Sequence, residues 1–543
     1  MKKKKILSFL LAGVMIGQTV PIGTMIVSAE EKSMVGEEQL SDKKTAVPEK
    51  DKAVPNNSQY KYQKDELAAF CHFGPNTFTG KEWGDNYGDT DPNQLFTLKE
   101  NFDAETLVKT IKEAGFKKLI ITAKHHDGFC LWNSEYTTYD VGSTDYAKKN
   151  YDNMGGDILA EISAACTKED IDMGLYLSPW DIHEPSYGNN SPGDYNEFYN
   201  NQLKEILGNN KYGNDGKFVE IWMDGAKGGG ADPQDYTIDK WYETITKYEG
   251  EECLIFGAGP YASVRWIGNE NGEAADETWS KSILTEDNKI KNDPSQREDD
   301  FKGDPTDHFS NGYAEGNKWT VPEVDARITS GWFWGNGKST PKSMGQLANM
   351  YFSSVGRNAP LLLNIPPNNK GTVDDAILNR VKEFGNAVKE TFTNNIAAGK
   401  NVSCTASEVR GNDIAYSPNN VLDGNQDTYW TTDDKTEATE ATLEVNLGET
   451  KQFDVVSIEE TIKFGQRISE FKVEYKNGSD EWKVFGSGKT VGAKRLCRRS
   501  PVKADKLRIT VKTSEKAEHK APIISEVGVY RAAADFALGN GIP

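Results

Sequence analysis

The chain has 543 residues, too many for one ordinary hydrophobic core, so two or more domains are expected. Its formal charge of −20 excludes partners of the same sign, so nucleic acid and anionic membrane surfaces would repel it. The six cysteines, at 71, 130, 166, 253, 404 and 497, are too sparse for a disulfide scaffold and lack zinc-site spacing. Most of them read as small buried apolar residues.

Four lysines, Lys2 to Lys5, precede an apolar run from Ile6 to about Met15, and Val27-Ser28-Ala29 has the small residues of a cleavage site. Residues 1–29 therefore read as a secretory signal peptide. Its four lysines leave the rest of the chain near −24 (−20 minus 4). No later run approaches the ~20 apolar residues that a bilayer span requires. A secreted, extracellular protein without a transmembrane anchor is expected. Residues 30–58, rich in Glu, Lys, Ser and Pro, read as a flexible linker because they offer little apolar surface to offset ordering entropy.

From 59 to 393, strands and helices alternate. "DAETLVKTIKEAG" has helical apolar spacing at Leu107, Ile111 and Ala114, and "KKLIITAKHHDG" reads as a buried strand. The pairs "DILAEISAACTKED" and "DMGLYLSPW", "YNEFYNNQLKEILG" and "KFVEIWMDGA", and "DKWYETITKYEG" and "ECLIFGAG" repeat the pattern. "SMGQLANMYFSSVG" then leads into "APLLLNIPPN". Apolar runs buried on both faces predict a parallel sheet, and so many units predict an α/β (β/α)8-type TIM barrel. Past residue 393 the texture changes. "ATLEVNLG", "FKVEYKNG" and "KLRITVKT" alternate with period two, which predicts an all-β sandwich over 394–533, followed by a tail at 534–543.

The polar residues after the barrel strands share a predicted face. They are His72, Glu82 and Trp83, then His125, His126 and Asp127, then Tyr176, Trp180 and His183, then Asp224, and last Arg265, Trp266 and Glu270. The strand ends of such a barrel carry active sites. Trp83, Trp180, Trp222, Trp266, Trp332 and Trp334 set flat apolar faces beside polar donors, which suits a sugar ring with C–H patches and a rim of hydroxyls. A metal centre is disfavoured: adjacent histidines at a strand end should diverge, because strand side chains alternate faces. Glycoside hydrolysis needs two carboxyls. Asp224, at the end of an apolar strand, is the best nucleophile candidate. Glu270, in a Gly/Asn-rich loop near Trp266, is the best acid/base candidate. Composition alone does not separate it from Glu82, Glu273 or Glu323.

The motifs "HFGPNTFTGKEWG", "TAKHHDGFCLW", "YLSPWDIH", "IWMDGA", "RWIGNENG", "VPEVDARITSGWFW" and "PLLLNIPPNNKG" resemble the α-L-fucosidases of glycoside hydrolase family 29. The likeness is strongest to the branch selective for α-1,3/1,4-linked fucose. The resemblance implies a retaining double displacement with Asp224 as nucleophile and Glu270 as acid/base. It further implies that His72, His125, His126 and Glu82 hold the fucose hydroxyls, that Trp83, Tyr176 and Trp222 complete the pocket, and that Trp332 or Trp334 lines the methyl side. The C-terminal motifs "NVLDGNQDTYWTT", "GQRISEFKVEYKNG" and "IISEVGVY" resemble discoidin-type (F5/8C, CBM32-like) carbohydrate-binding modules. That likeness implies a structural Ca²⁺ held by Asp423, Asn425, Thr428 and Glu526, and fucosylated glycans and glycoproteins as partners. No cofactor is expected in catalysis. The competing expectations are a fucose-binding lectin with an inactive barrel, a fucosidase of broader linkage range, and a metal-dependent hydrolase whose activity chelation would remove.

Overall fold

The computed structural model describes residues 33–538, apart from 86, 87, 89, 150–153, 228–230, 258, 291–310, 336–338 and 435–439. The signal peptide expected at 1–29 and the end of the expected tail lie outside the described residues.

Eight strands close a barrel in which every neighbouring pair is parallel. They are β1 (Leu67–Cys71), β2 (Lys118–Lys124), β3 (Asp172–Leu177), β4 (Glu220–Trp222), β5 (Leu254–Phe256), β6 (Val264–Trp266), β7 (Val321–Arg327) and β8 (Leu361–Asn364). They close in chain order, with β1 between β8 and β2. Period-two alternation divides each strand. Ala68, Phe70, Ile120, Tyr176, Trp222, Phe256, Val264, Val321 and Leu362 fill the lumen. Ala69, Leu119, Ile121, Leu175, Ile221 and Leu363 pack outward, against the helices.

The first helix, α1 (Asn57–Asp65), closes the end of the barrel where the strands begin. Its Gln59 donates to the carbonyls of Ser263 and Trp319, and Trp319 Nε1 donates to Gln63 Oε1 at 2.9 Å. The helices α2 (Ala104–Glu113), α3 (Ile158–Glu169) and α4 (Tyr195–Leu207) start at Asp103, Asp157 and Asp194. Each of these caps accepts the N–H three residues on at 3.0–3.1 Å. The outer layer continues with α5 (Ile238–Glu249), α6 (Met344–Ser353) and α7 (Asp375–Thr393). Two units depart from the expected (β/α)8 pattern. Among the described residues, only the single turn Gly259–Tyr261 links β5 to β6, and no helix separates β6 from β7.

The C-terminal module is an antiparallel sheet of seven strands: β9 (Ser403–Ala406), β10 (Trp430–Thr431), β11 (Glu440–Glu460), β12 (Ile468–Lys476), β13 (Lys483–Gly488), β14 (Arg495–Thr513) and β15 (Ile523–Tyr530). All three sequence-predicted strands lie within it. Two of them run far beyond their motifs, because β11 and β14 continue through register shifts at Asn446/Lys451 and Phe453/Val455.

The module is docked on the barrel by buried polar contacts. Asn358 Nδ2 donates to the Thr278 carbonyl (3.0 Å), and its Oδ1 accepts from Ala493 N (2.7 Å). Lys64 of α1 pairs with Glu459 of β11 at 2.7 Å, and Lys494 pairs with the same carboxylate at 3.3 Å and with Glu66. The expected tail also packs: Phe536 is fully buried beside Tyr351, Phe352 and Phe384.

The expectation of a flexible linker is corrected from residue 34 onward. Val35 and Ala406 exchange backbone hydrogen bonds, Ser41 pairs with Asn412 and Ile414, and Arg410 donates to the Ala46 carbonyl. Asp51 is buried between Arg467 (3.3 Å) and Lys281 (3.7 Å). The segment gains order from backbone pairing with a distant part of the chain, which its own apolar content does not report.

Candidate active site

The ends of β1, β2, β3, β4 and β8 bring one group of side chains together. Asp224 lies two residues past β4. Its Oδ2 accepts the Tyr176 hydroxyl at 2.9 Å and lies 3.6 Å from His126 Nε2. Its Oδ1 accepts from the Ala226 backbone N–H at 2.8 Å. Tyr176 itself is fully buried, stacked between His125 (5.7 Å, 10°) and Trp222 (5.2 Å, 19°). Trp222 stacks in turn on Phe256 at 3.8 Å. The nucleophile candidate is therefore gripped by donors that are themselves packed.

The two adjacent histidines do not diverge. β2 ends at Lys124, and His125 to Gly128 form a turn closed by Gly128 N donating to the His125 carbonyl. The rings of His125 and His126 approach to 4.1 Å. Gly128 has φ +81°, and a Cβ there would meet Asp181 Oδ1 at 2.3 Å, so only glycine permits this turn. The alternation rule fails here because the pair has already left the strand.

Hydrogen-bond partners fix the histidine tautomers. Ser178 donates its hydroxyl to the Trp180 carbonyl (2.7 Å), so it accepts from His126 Nδ1–H (2.8 Å) and leaves Nε2 an acceptor. Asn364 donates its amide to the Trp332 carbonyl (2.7 Å), so its Oδ1 accepts from His72 Nδ1–H (2.8 Å). Burial keeps all three rings neutral: it pushes His72 down to about 3, His125 well below the usual imidazole range, and His126 down. Nδ1 of His125 is buried and has no hydrogen-bond partner among the described residues.

Glu82 Oε2 accepts the Trp332 backbone N–H at 2.8 Å. Trp83 is 45% exposed and meets His126 (5.7 Å) and Trp180 (5.8 Å) edge-on. Trp332 lies 5.0 Å from His72, whereas Trp334 turns its indole N–H to Asp374 (2.8 Å). Of the two tryptophans expected on the methyl side, Trp332 joins the cluster.

Glu270 lies in the loop after β6 with 41% of its side chain exposed. Burial raises its carboxyl above the ordinary range; Arg327 and Trp332 oppose this, while the charges of Glu82 and Asp224 add to it. The other candidate carboxyls stand elsewhere. Glu323 is fully buried in the lumen, accepting from Trp222 Nε1 (2.9 Å) and from Tyr62. Glu273 pairs with Arg357 at 3.0 Å. Reading by residue type missed Asn364, Ser178, Arg327 and Phe333, whose ring meets His72 (5.4 Å) and His125 (5.0 Å) edge-on. Each follows or ends a strand at the same face, and that shared position is the signal that marks them.

In the module, Asp423 accepts from Asn425 N (2.8 Å) and from the Thr428 hydroxyl (2.7 Å). Glu526 Oε1 is buried with no hydrogen-bond partner among the described residues. Burial pushes that carboxyl up to about 8, aided by Glu459 and Asp423. All six cysteines are free, and four of them are buried.

Comparison with known proteins agrees with this layout. The α-L-fucosidase family profile matches residues 34–391, and the F5/8 type C domain profile matches 403–527. Alpha-L-fucosidase 1 of Arabidopsis thaliana is 38% identical over 480 residues, covering 88% of this chain and 87% of that protein. A GH29 fucosidase of Ruminococcus gnavus, solved in complex with fucose, is 53% identical with a TM-score of 0.85, covering 93% of this chain and all of that one. A catalytic barrel carrying this mouth, joined to an F5/8 type C domain, places the chain in the glycoside hydrolase family 29 α-L-fucosidases.

Proposed function

We propose that the protein is a secreted, retaining exo-α-L-fucosidase that removes terminal α-1,3/1,4-linked L-fucose from branched, Lewis-type oligosaccharides and glycoconjugates. The observation that carries this reading is the contrast between two carboxyls at one mouth. Asp224 is fixed by Tyr176 and Ala226, and Glu270 is half-exposed and held above the ordinary range by burial. In the first step an Asp224 oxygen bonds to fucose C1 as the C1–O bond to the aglycone breaks, and the Glu270 proton goes to the departing oxygen. In the second step water bonds to C1, Glu270 takes the water proton, and the bond to Asp224 breaks. Nε2 of His72 and of His126 accept from fucose hydroxyls. The Trp332 ring lies beside the methyl group, and Trp83, at the rim, meets the aglycone side.

The module is read as targeting the enzyme to glycan surfaces, with a structural Ca²⁺ held by Asp423, Asn425, Thr428 and Glu526. An all-oxygen set with one orphaned carboxylate oxygen fits a hard cation. The ion would order the loop and take no part in catalysis. Secretion rests on the leader-like residues 1–29; among the described residues, no helix is long and apolar enough to cross a membrane.

The deciding experiment incubates the protein with α-1,2-, α-1,3- and α-1,4-fucosylated oligosaccharides and measures free fucose, with Asp224→Asn as control. Release from the α-1,3 and α-1,4 substrates alone supports the reading. Equal release from the α-1,2 substrate removes the linkage selectivity, and binding without release identifies a lectin.

A further inference from the structure

Glu270 does not stand alone at the mouth. Its loop is pinned to the end of β7 by an antiparallel bridge between Asn271 and Ala326. The next residue on β7 is Arg327, whose Nη2 lies 3.4 Å from Glu270 Oε2. The same guanidinium lies over the Trp332 ring, 5.3 Å from its centre. Lys342 holds the local backbone by donating to the carbonyls of Arg327 and Thr329. Trp332 is tied down as well, its N–H on Glu82 and its carbonyl on Asn364. The arginine is thus clamped between a fixed ring and the acid/base carboxyl.

A retaining reaction makes opposite demands on that carboxyl. It must be protonated when the aglycone leaves and ionised when water attacks. The groups around it divide the same way. Burial, Glu82 and Asp224 favour the protonated form. Arg327 is the cation that faces it, while Lys342 and His72 face Arg327. An opposite charge at this distance favours the carboxylate.

We propose that Arg327 is a positioning residue for the reaction: laid over Trp332 and paired with Glu270, it aims that carboxyl and favours the ionised form that accepts a proton from water. This rests on the reading of Glu270 as the acid/base. Without Arg327 the carboxyl holds its proton to higher pH and loses its fixed direction, so the second step suffers more than the first. Lysine in its place keeps the charge but not the flat surface that lies over Trp332.

The test is the pH profile of kcat/KM for wild type, Arg327→Lys and Arg327→Met on an α-1,4-fucosylated oligosaccharide, where the basic limb reports loss of the acid's proton. The limb should move to higher pH in R327M and stay near wild type in R327K. On an activated aryl fucoside, kcat of R327M should fall roughly tenfold, less than the ~10²–10⁴ that a whole general base contributes. Added azide, which needs no base, should restore part of that loss. A uniform drop at all pH values, with the limb unmoved, would mean that Arg327 only supports the fold and would overturn the proposal. Glu270→Gln, measured alongside, separates the two readings. If E270Q keeps its rate and basic limb, the acid/base assignment fails. If E270Q loses both while R327M leaves the limb in place, only the role of Arg327 fails.

Discussion

Replacing Glu459 by glutamine removes the carboxylate that Lys64 of the barrel and Lys494 of the module share. The side chain is 10% exposed and also accepts from Gln426 at 3.1 Å. Burial alone would raise its carboxyl, but Lys494 and Lys64 outweigh that and hold it down at about 2. A glutamate whose ionisation falls from the ordinary 4.5 to about 2 adds about 3 kcal/mol of stability. A folded-state value below the unfolded one means that this contribution is present above about pH 5 and is lost as pH falls towards 2. Breaking a buried pair is expected to cost a similar ~3–5 kcal/mol. The shift in melting temperature depends on what unfolds together. At about 2 cal/mol/K per residue, ~3 kcal/mol spread over some 500 residues lowers the midpoint by about 3 °C, whereas over a module of ~130 residues it lowers it by about 10 °C. Calorimetry at pH 7 with calcium in excess should show one transition lowered by about 3 °C, and the difference from wild type should shrink as pH falls below 4. Two transitions, with the barrel's unmoved, would refute the view that barrel and module fold as one unit.

Tyr176→Phe removes the hydroxyl that Asp224 Oδ2 accepts. A hydrogen bond to a charged group is worth about 1.5–3 kcal/mol, so kcat/KM should fall roughly 10- to 100-fold in steady-state assays; a change below threefold would show that the contact does not orient the nucleophile. Chelation should lower the unfolding midpoint, since an ion at about 100 times its Kd stabilises by ~2.7 kcal/mol. Turnover of a small soluble fucoside at 25 °C should persist, and an unmoved midpoint would remove the proposed Ca²⁺ site. Trp332→Ala should raise KM for fucosides far more than Trp334→Ala, because Trp332 lies beside His72 while Trp334 turns to Asp374; equal effects in Michaelis–Menten assays would put both rings in the pocket.

The barrel was legible where its strands are apolar on both faces. "KLIITAK" and "LLLN" announce themselves because one face meets the lumen and the other the helices. β7 gave no such signal. Its Glu323 and Asp325 are buried, satisfied by Trp222 and Tyr62 and by Trp266, so a central strand carried the composition of a loop. β6, of three residues, was read only as a motif. The same logic divides the site. Histidines and tryptophans are rare enough to mark strand ends by type. Asn364, Ser178 and Arg327 are ordinary polar residues until barrel closure sets β8 beside β1 and β7 beside β6. The strap at 34–56 was hidden for a related reason: its order comes from partners in distant parts of the chain, Thr45 and Ala46 among them pairing with Asp413 and Arg410.

The electrostatics of the mouth suit its histidines to a neutral ligand. Burial strips His72, His125 and His126 of their charge, and their partners direct a bare Nε2 inward from His72 and His126. A neutral imidazole accepting at Nε2 pairs with a hydroxyl that donates, and it offers an anion nothing at that atom. The fixed charges point the same way. Asp224, Glu270 and Glu82 lie close enough to influence one another, and Arg327 is already engaged by Glu270. A phosphate or carboxylate at the inner wall would therefore meet lone pairs and carboxylates. A deoxysugar bound as proposed would bring hydroxyl protons to the histidines and an apolar methyl to Trp332. The chain's overall negative charge repels the same anions from a distance, so the long-range and the local fields select for the same kind of ligand.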